Sequence, residues 1–362
     1  MIIGVPSEVK NNENRVGLTP DSAKKIVASG HDVLIQKNAG ANIGFFDEQY
    51  LSAGAKILDS GEDVYKSSEM IVKVKEPIPE EYPFLRDDLT LFTYLHLAGD
   101  PENAKKLIDT GVTGIAYETV TAADGSMPLL APMSTIAGQL AIVVGSYHLL
   151  KHNKGKGVMI GKLDSIEPRV VTVIGAGVAG TQSISKALDN HALVKVLDTS
   201  QSKLQQLQSE FGSSNIEYIL STSDSVQSAV NESDMVIGSV YVVGKEAPKV
   251  VSRDMLKSMN PGTVMVDVSI DQGGCFESSR PTTHDNPTFL ENDIVHYCVT
   301  NMPGAVPLTA TQALNKVTLS YIEDLANKGV ENALTDDAHL RNGLNIQNGE
   351  ITHPAVKDAL NN

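Results

Sequence analysis

Three isolated polar side chains in the N-terminal third could act on a small carboxylate substrate. Arg15 lies in the polar loop NNENRVGLTP, Lys75 ends the apolar stretch MIVKVK, and His96 lies near the end of LTLFTYLHL. An arginine fork matches a carboxylate, a lysine ammonium can polarise a carbonyl oxygen, and a histidine transfers protons near neutral pH. If both apolar stretches are parallel strands, Lys75 and His96 face one crevice. Each of the three could also be an ordinary surface or edge charge, since spacing alone does not establish that they converge.

A glycine-rich turn in the middle of the chain predicts a phosphate-binding site. Gly175, Gly177 and Gly180 stand in a G-x-G-x-x-G pattern between an apolar strand and a helix. They allow a tight turn, a close approach to a pyrophosphate and close helix–strand packing. Asp198 ends the next strand, where it could accept hydrogen bonds from both ribose hydroxyls and would repel a 2′-phosphate. The pattern therefore favours NAD, although nearby Lys203 leaves NADP open, and the motif alone also suits FAD, another adenosine-bearing ligand or a turn without ligand.

Three further passages follow predicted strands of the same region, where a nicotinamide would lie. They are the residues near Val240, SIDQGG and VTNMP. Asp271 is the only acid in the second passage, and it could orient a cofactor, carry a proton or cap a turn. No histidines have the spacing H-E-x-x-H, and Cys275 and Cys298 are too few for a disulfide framework, so neither a metal nor a disulfide scaffold is predicted.

Composition predicts a globular protein of about two domains. The chain has 362 residues, of which 41% are hydrophobic and 20% charged. A formal net charge of -15 argues against nucleic-acid partners and anionic membrane surfaces. No signal peptide is recognisable, and no apolar run approaches the roughly 18–20 residues that a membrane span requires. These features predict a soluble, cytoplasmic protein.

Alternating strands and helices predict the elements that must position these residues. In the N-terminal third, strands are predicted in MIIGVP, HDVLIQ, KIL, MIVKVK, LTLFTYLHL and GVTGIAYE, with helices at 20–29 and 101–109. Thr19 suits the N-cap of the first helix, Pro20 its first turn and Gly30 its end. About six strands follow between 169 and 303, whereas 304–362 is predicted to be helical and without strands of its own.

The predicted fold class is therefore α/β, with two doubly wound, Rossmann-like domains that have parallel sheets and are joined by long helices. We expect a discontinuous substrate domain of residues 1–129 plus 307–362, and an NAD-binding domain of residues 130–306.

Several blocks of the sequence resemble the alanine dehydrogenase / pyridine nucleotide transhydrogenase family, and alanine dehydrogenase in particular. They are GVPSEVKNNENRVGLTP, VKVKEP, YLHLA, VIGAGVAG, DVSIDQGGC, RPTTHDNPTF and VTNMPGAVP, in this order along nearly the whole chain. The resemblance implies NAD-dependent, reversible oxidative deamination of L-alanine to pyruvate and ammonia. It also implies a two-domain subunit that assembles as a homo-oligomer, usually a hexamer.

The resemblance also implies roles for individual residues. Arg15 and Lys75 would bind the substrate, His96 would act as acid and base around hydride transfer to the nicotinamide, and Asp271 would be a second active-site acid. Residues that would contact NAD are Ser134, Gly175, Gly177, Val178, Gly180, Asp198, Lys203, Ser221, Val240, Tyr241, Val268, Ser269, Ile270, Asp271, Arg280, Val299, Thr300, Asn301 and Met302.

Three alternatives stay open at the level of the sequence. A transhydrogenase-type module would bind NADH without reducing pyruvate in the presence of ammonia. A dehydrogenase for another small amino acid would use a different 2-oxo acid, such as glyoxylate. A non-enzymatic NAD sensor is disfavoured by the joint presence of Arg15, Lys75 and His96.

Overall fold

The computed structural model describes residues 1–242 and 246–360. The chain divides into two compact units, one of residues 1–133 and 304–362 and the other of residues 134–303. Within the described residues, no helix is long and apolar enough to cross a membrane.

The N-terminal part of the first unit builds a parallel sheet. Its strands are β1 (Ile2–Val5), β2 (Asp32–Gln36), β3 (Lys56–Leu58), β4 (Met70–Val72), β5 (Thr90–Thr93) and β6 (Thr113–Ala116), and its helices are α1 (Pro20–Ala28), α2 (Asp47–Ser52), α3 (Gly61–Ser67) and α4 (Pro101–Asp109). The strands lie in the order β6-β5-β4-β1-β2-β3. Strands β2 and β3 therefore lie on one side of β1, whereas β4, β5 and β6 lie on the other, so the strand order reverses between β1 and β4. Open α/β sheets bind ligands at such a switch point.

Helix α1 begins where local chemistry predicts. The Thr19 hydroxyl accepts a hydrogen bond from the backbone N–H of Ser22 at 3.1 Å, and Pro20 occupies the first turn. Gly30 follows the helix with a φ of +89°, in the left-handed region that glycine adopts without strain. The predicted cap, first turn and end of this helix are confirmed.

Two predicted strands are shorter than expected. Strand β4 ends at Val72 and β5 at Thr93, so Lys75 and His96 lie in the loops that follow. Hydrogen bonds between these loops continue the pairing as far as Tyr94, whose backbone N–H donates to the carbonyl of Val74 at 3.3 Å. His96 then has a φ of +50°, which is incompatible with an extended strand.

The second unit contains a similar sheet. Helix α5 (Ala131–His148) runs across the boundary between the units and is followed by β7 (Val170–Ile174), α6 (Val178–Asp189), β8 (Leu193–Asp198), α7 (Gln201–Phe211), β9 (Ile216–Leu220), α8 (Ser223–Glu232), β10 (Met235–Gly238), β11 (Val264–Asp267), β12 (Thr288–Glu291) and β13 (Ile294–Tyr297). The order is β12-β13-β11-β10-β7-β8-β9, with a switch point between β7 and β10. Strand β12, which was not expected, pairs antiparallel with β13.

The C-terminal segment completes the sheet of the first unit. It contains α9 (Pro307–Lys328), α10 (Val330–Asp336), α11 (Ala338–Arg341), β14 (Leu344–Gln347), β15 (Glu350–Ile351) and α12 (Pro354–Leu360). Strand β14 pairs antiparallel with β6 and β15, so the prediction that this segment lacks strands is wrong. The two strands are joined by Asn348 and Gly349, both with positive φ, in the Asn-Gly hairpin that QNGE favours.

Each sheet is therefore mixed, with antiparallel pairing at one edge and parallel pairing elsewhere. The predicted α/β class with doubly wound, mostly parallel sheets is confirmed. Short edge strands were missed because they carry little apolar periodicity and depend on a neighbouring strand for their hydrogen bonds.

Candidate active site

The loops that carry Arg15, Lys75 and His96 follow three neighbouring strands. Strand β1 pairs in parallel with β4, and β4 with β5, so their carboxyl ends share one edge of the first sheet. A Cβ atom at Gly17 would stand 2.2 Å from the carbonyl oxygen of Val72, so the loop after β1 lies directly on the end of β4. The three residues are thus brought to the switch point of the first unit.

Arg15 is buried and bound to a carboxylate of its own loop. Its Nε and Nη2 donate to the two oxygens of Glu13 at 2.7 and 2.5 Å, and the ion pair is almost entirely buried. Burial opposes the charge of Arg15, but the hydrogen bonds and negative charge of Glu13 outweigh it and raise the pKa of the guanidinium. Nη1 contacts Met133 Sδ at 3.3 Å. One edge of the guanidinium group is therefore bonded to Glu13. The sequence ENR, in which the acid precedes the arginine by two residues, could have suggested this ion pair.

The backbone N–H and carbonyl of Lys75 both form hydrogen bonds with side chains. Its N–H donates to Glu8 Oε1 at 3.4 Å, and its carbonyl accepts from Thr93 Oγ1 at 3.1 Å. The Nζ atom lies 3.6 Å from Glu76 Oε2, and only 12% of the side chain is exposed. Lys75 is therefore a sheltered cation rather than a solvated charge at a strand edge.

His96 lies in a turn and contacts the carboxylate of Glu118 and the ring of Tyr94. Its backbone N–H donates to Glu118 Oε1 at 2.6 Å. Its ring stacks on Tyr94, with centroids 5.7 Å apart and planes 9° from parallel. The Tyr94 hydroxyl donates to the carbonyl of Leu129 at 2.7 Å. Burial raises the pKa of Tyr94 although the nearby charge of Arg15 opposes this.

A charge cluster behind Lys75 was not foreseen from the sequence. Lys73 is buried and bonded to Glu81, and its Nζ lies 3.7 Å from Glu8 Oε2. Glu8 Oε1 accepts from the N–H of Val74 at 2.6 Å. Burial, with help from neighbouring acids, raises the pKa of Glu8 to about 7 although the charge of Lys73 opposes it. A lysine inside an apolar stretch was the only signal of this cluster in the sequence.

Glu76 links the predicted substrate and proton-transfer groups. Burial disfavours its charge, but the positive charges of Lys75, His96 and Lys10 outweigh burial and lower the pKa of Glu76 to about 2. Its Oε1 also accepts a hydrogen bond from Lys10 Nζ. Lys75 and His96 therefore both lie within electrostatic range of one carboxylate.

In the second unit, the glycine turn is tight at two positions and open at the third. Gly175 has a φ of +100°, and a Cβ there would stand 2.6 Å from the Ser239 carbonyl oxygen. A Cβ at Gly180 would stand 1.8 Å from the Gly175 oxygen, whereas a Cβ at Gly177 would meet nothing within 4 Å. Ser239 Oγ also donates to the Gly175 oxygen at 2.9 Å. The turn thus packs closely against Ser239, which follows β10, and leaves space next to Gly177 at the start of α6.

Asp198 ties the end of β8 to this turn. Its carboxylate accepts from the N–H groups of Ala176 and Ser200, both at 2.8 Å. Its carbonyl accepts from the N–H of Ser221 at 2.9 Å. Lys203 is exposed in the first turn of α7, which Ser200 caps. The glycine turn is therefore bonded to Asp198, which is in turn bonded to Ser221. Lys203 follows on the first turn of α7.

A buried carboxylate organises the loop after β11. Asp267 accepts from the N–H groups of Ser269 and Cys275 at 3.0 and 2.9 Å and from Ser279 Oγ at 2.5 Å. Burial raises the pKa of Asp267 against these hydrogen bonds. Asp271, which the sequence singled out, is exposed. Asp267 is buried and was missed, although its position at the end of the apolar strand VMVD could have indicated it.

The other predicted cofactor residues also belong to the second unit. Ser269 Oγ donates to the carbonyl of Val240 at 2.8 Å, which joins the loops after β10 and β11. Arg280 lies over the ring of Phe289, 4.1 Å from its centroid. The remaining positions are Ser134 in α5, the exposed Val178 and Tyr241, Val268 and Ile270 after β11, and Val299, Thr300, Asn301 and Met302 after β13.

Within residues 1–242 and 246–360, no group of three or more His, Cys, Asp or Glu side chains could hold a metal ion. The chemistry that the arrangement supports is carboxylate binding, carbonyl polarisation and proton transfer in the first unit. In the second unit it is phosphate and ribose binding.

Comparisons with known proteins cover nearly the whole chain. Residues 4–137 match the profile described as "Alanine dehydrogenase/PNT, N-terminal domain", and residues 141–354 match the corresponding C-terminal domain. Curated alanine dehydrogenases of Halomonas elongata and Bacillus subtilis are 48% and 47% identical, over 99% and 98% of this chain and 96% and 94% of theirs.

Solved structures agree with the sequence relatives. An L-alanine dehydrogenase structure is similar with a TM-score of 0.94 and 45% identity, over 100% of this chain and 99% of that one. A transhydrogenase from Sinorhizobium meliloti has a TM-score of 0.82 at 24% identity, over 98% of this chain and 100% of that one, and shares the fold. The chain belongs to the alanine dehydrogenase/PNT family.

Proposed function

We propose that this protein catalyses the NAD-dependent, reversible oxidative deamination of L-alanine to pyruvate and ammonia. The observation that carries the proposal is the placement of Arg15, Lys75 and His96 after three adjacent parallel strands. Curated relatives at 45–48% identity that bear the name alanine dehydrogenase support the same reaction.

The glycine turn fits a dinucleotide. The space above Gly177 admits a phosphate to the N-terminus of α6, where unpaired N–H groups favour an anion. Asp198 stands beside the turn as a ribose ligand, and its negative charge favours NAD over NADP. When bound, NAD supplies a nicotinamide ring that takes the hydride of the substrate Cα and returns it in the reverse reaction. We assign the NAD contacts to the predicted residues of the second unit, including Asp271.

Arg15 and Lys75 bind and orient the substrate. Because Glu13 holds the Nε–Nη2 edge of Arg15, we assign the substrate carboxylate to Nη1. A carboxylate is a far stronger acceptor there than the thioether of Met133. Lys75 supplies a compact positive charge for the carbonyl oxygen of pyruvate. Such orientation removes much of the entropic barrier to reaction.

His96 moves the protons. In the deamination direction, water adds to the carbon of iminopyruvate while His96 accepts a proton of that water. As the C–N bond breaks, His96 gives that proton to the nitrogen and accepts the proton of the new hydroxyl group, so that ammonia leaves and the carbonyl of pyruvate forms. The stacked ring of Tyr94 and the Glu118 hydrogen bond hold His96 in its turn. General acid–base help of this kind is worth about 10²–10⁴-fold in rate.

The test follows the absorbance of NADH in the presence of pyruvate, with and without ammonium. We expect ammonium-dependent loss of NADH and little loss of NADPH. Lys75→Ala and His96→Ala should each abolish most turnover, while Lys66→Ala, which removes an exposed helix ion pair, should leave it intact. NADH binding without turnover would favour a transhydrogenase-type module, and faster reaction with glyoxylate would favour another amino acid.

A further inference from the structure

A carboxylate to which the proposed chemistry gives no role lies next to Lys75. The Glu76 side chain is only 12% exposed, and its Oε1 is bonded to Lys10, which lies 66 residues earlier in the chain. Its Oε2 lies 3.6 Å from Lys75 Nζ and has no hydrogen-bond partner within the described part of the chain. A glutamate this sheltered, with one oxygen turned to a proposed substrate cation, is not an ordinary surface charge.

Titratable groups from several elements interact electrostatically with Glu76. They are Lys10 from the loop after β1, Lys73 and Lys75 from its own loop, Tyr82 from the turn that follows, and His96 from the loop after β5. Tyr94 and Glu118 in turn contact His96. Burial disfavours the charge of Glu76, but the surrounding positive charges lower its pKa to about 2, which keeps it ionised at neutral pH.

We propose that Glu76 is a positioning residue, a carboxylate that holds the Lys75 ammonium in place for the substrate. Lys10 is the second cation that Glu76 binds. The inference rests on the proposed function, because it assigns Glu76 to the groups that bind pyruvate.

The two partners of this ion pair should act differently on the substrate site. Glu76→Gln removes the anion next to Lys75 and should lower kcat/KM for pyruvate about tenfold. Lys10→Met removes only the competing cation and should leave kcat/KM for pyruvate at or above the wild-type value. A residue that merely stabilises the loop would lower kcat/KM in both variants, because both break the same ion pair.

A second readout concerns Lys75. In Glu76→Gln, we expect the KM for pyruvate to rise about tenfold while the KM for NADH stays unchanged, because only the substrate cation loses its anchor. Glu76→Asp keeps the charge and should restore the KM for pyruvate. Glu102→Gln breaks an exposed ion pair with Lys106 on α4 and should change neither quantity.

The wild-type assay separates this inference from the proposed function. Absence of ammonium-dependent turnover in the wild type would refute the function itself. The anchoring of Lys75 can still be measured without turnover, by titrating pyruvate into the NADH complex of the wild type and of Glu76→Gln. Unchanged affinity for pyruvate in Glu76→Gln, or an equal loss of affinity in Lys10→Met, would overturn the role of Glu76. If Glu76→Gln fails to fold, the same titration of Glu76→Asp and Lys10→Met carries the test, and a loss of affinity in either would overturn the role.

Discussion

The buried carboxyl group of Glu8 makes the stability of the protein depend on pH in a way that one substitution should remove. Only 1% of the Glu8 side chain is exposed, and its pKa is raised from 4.5 to about 7. The folded protein therefore binds this proton more tightly than the unfolded chain does. The resulting stability is fully present below about pH 4.5 and is lost as the pH rises through about 7.

The magnitude follows from the difference between the two pKa values. A rise of about 2.5 units, at about 1.36 kcal/mol each, is worth about 3 kcal/mol of unfolding free energy. Glu8→Gln cannot ionise and keeps an oxygen that can accept from the N–H of Val74. Relative to the wild type, this variant should gain about 3 kcal/mol between pH 5 and pH 8.5, whatever constant offset the substitution adds.

The assay is urea unfolding followed by circular dichroism across this pH range, at one protein concentration because assembly would affect stability. Glu62→Gln removes an exposed carboxylate that pairs with Lys66 and serves as the control, with a difference from wild type that does not vary with pH. A Glu8→Gln difference that is equally flat would refute the view that burial holds this group protonated. A decrease toward alkaline pH would mean that Lys73 dominates instead.

Four other substitutions test separate parts of the structure. Gly177→Ala should weaken NADH binding, measured by fluorescence titration, without lowering Tm, because its Cβ meets only open space; Gly180→Ala should lower Tm as well, because its Cβ would stand 1.8 Å from a backbone oxygen. Asp198→Ser should reduce the preference for NADH over NADPH in steady-state assays, and an unchanged ratio would remove Asp198 from the ribose site. Glu13→Ala should destabilise the protein by about 3–5 kcal/mol in urea unfolding, since it leaves the buried Arg15 charge without this ion pair; a loss below 1 kcal/mol would contradict the importance of the pair.

Local patterns were sufficient for most of the central elements. The helix at 101–109 and the cap at Thr19 were predicted correctly because they depend on residues within one turn of each other. The buried strands were recognisable from apolar runs alone. Strands β12, β14 and β15 were missed, since an edge strand is formed by pairing with a partner that lies elsewhere in the chain.

The candidate site shows the same division between local and distant effects. Arg15, Lys75 and His96 were singled out from their residue types and from a family resemblance. The carboxylates that contact Arg15 and Lys75 were not, because Glu13 and Glu76 look like ordinary surface acids in a sequence with many of them. Burial, which makes these acids important, is a property of packing between distant segments.

By itself, the sequence determined the features that short-range geometry and residue chemistry dictate. These are the glycine turn at 175–180, the acid at the end of the following strand, and the alternation of strands and helices. Only the tertiary structure decided that the loops after β1, β4 and β5 meet, and which charges they share. Parallel strands bring together residues far apart in the chain, and exclusion of water then sets the energy of each charge. Lys10 and Glu76, which lie 66 residues apart in the chain, are bonded to each other for the first reason. The pKa of Glu8 is raised for the second.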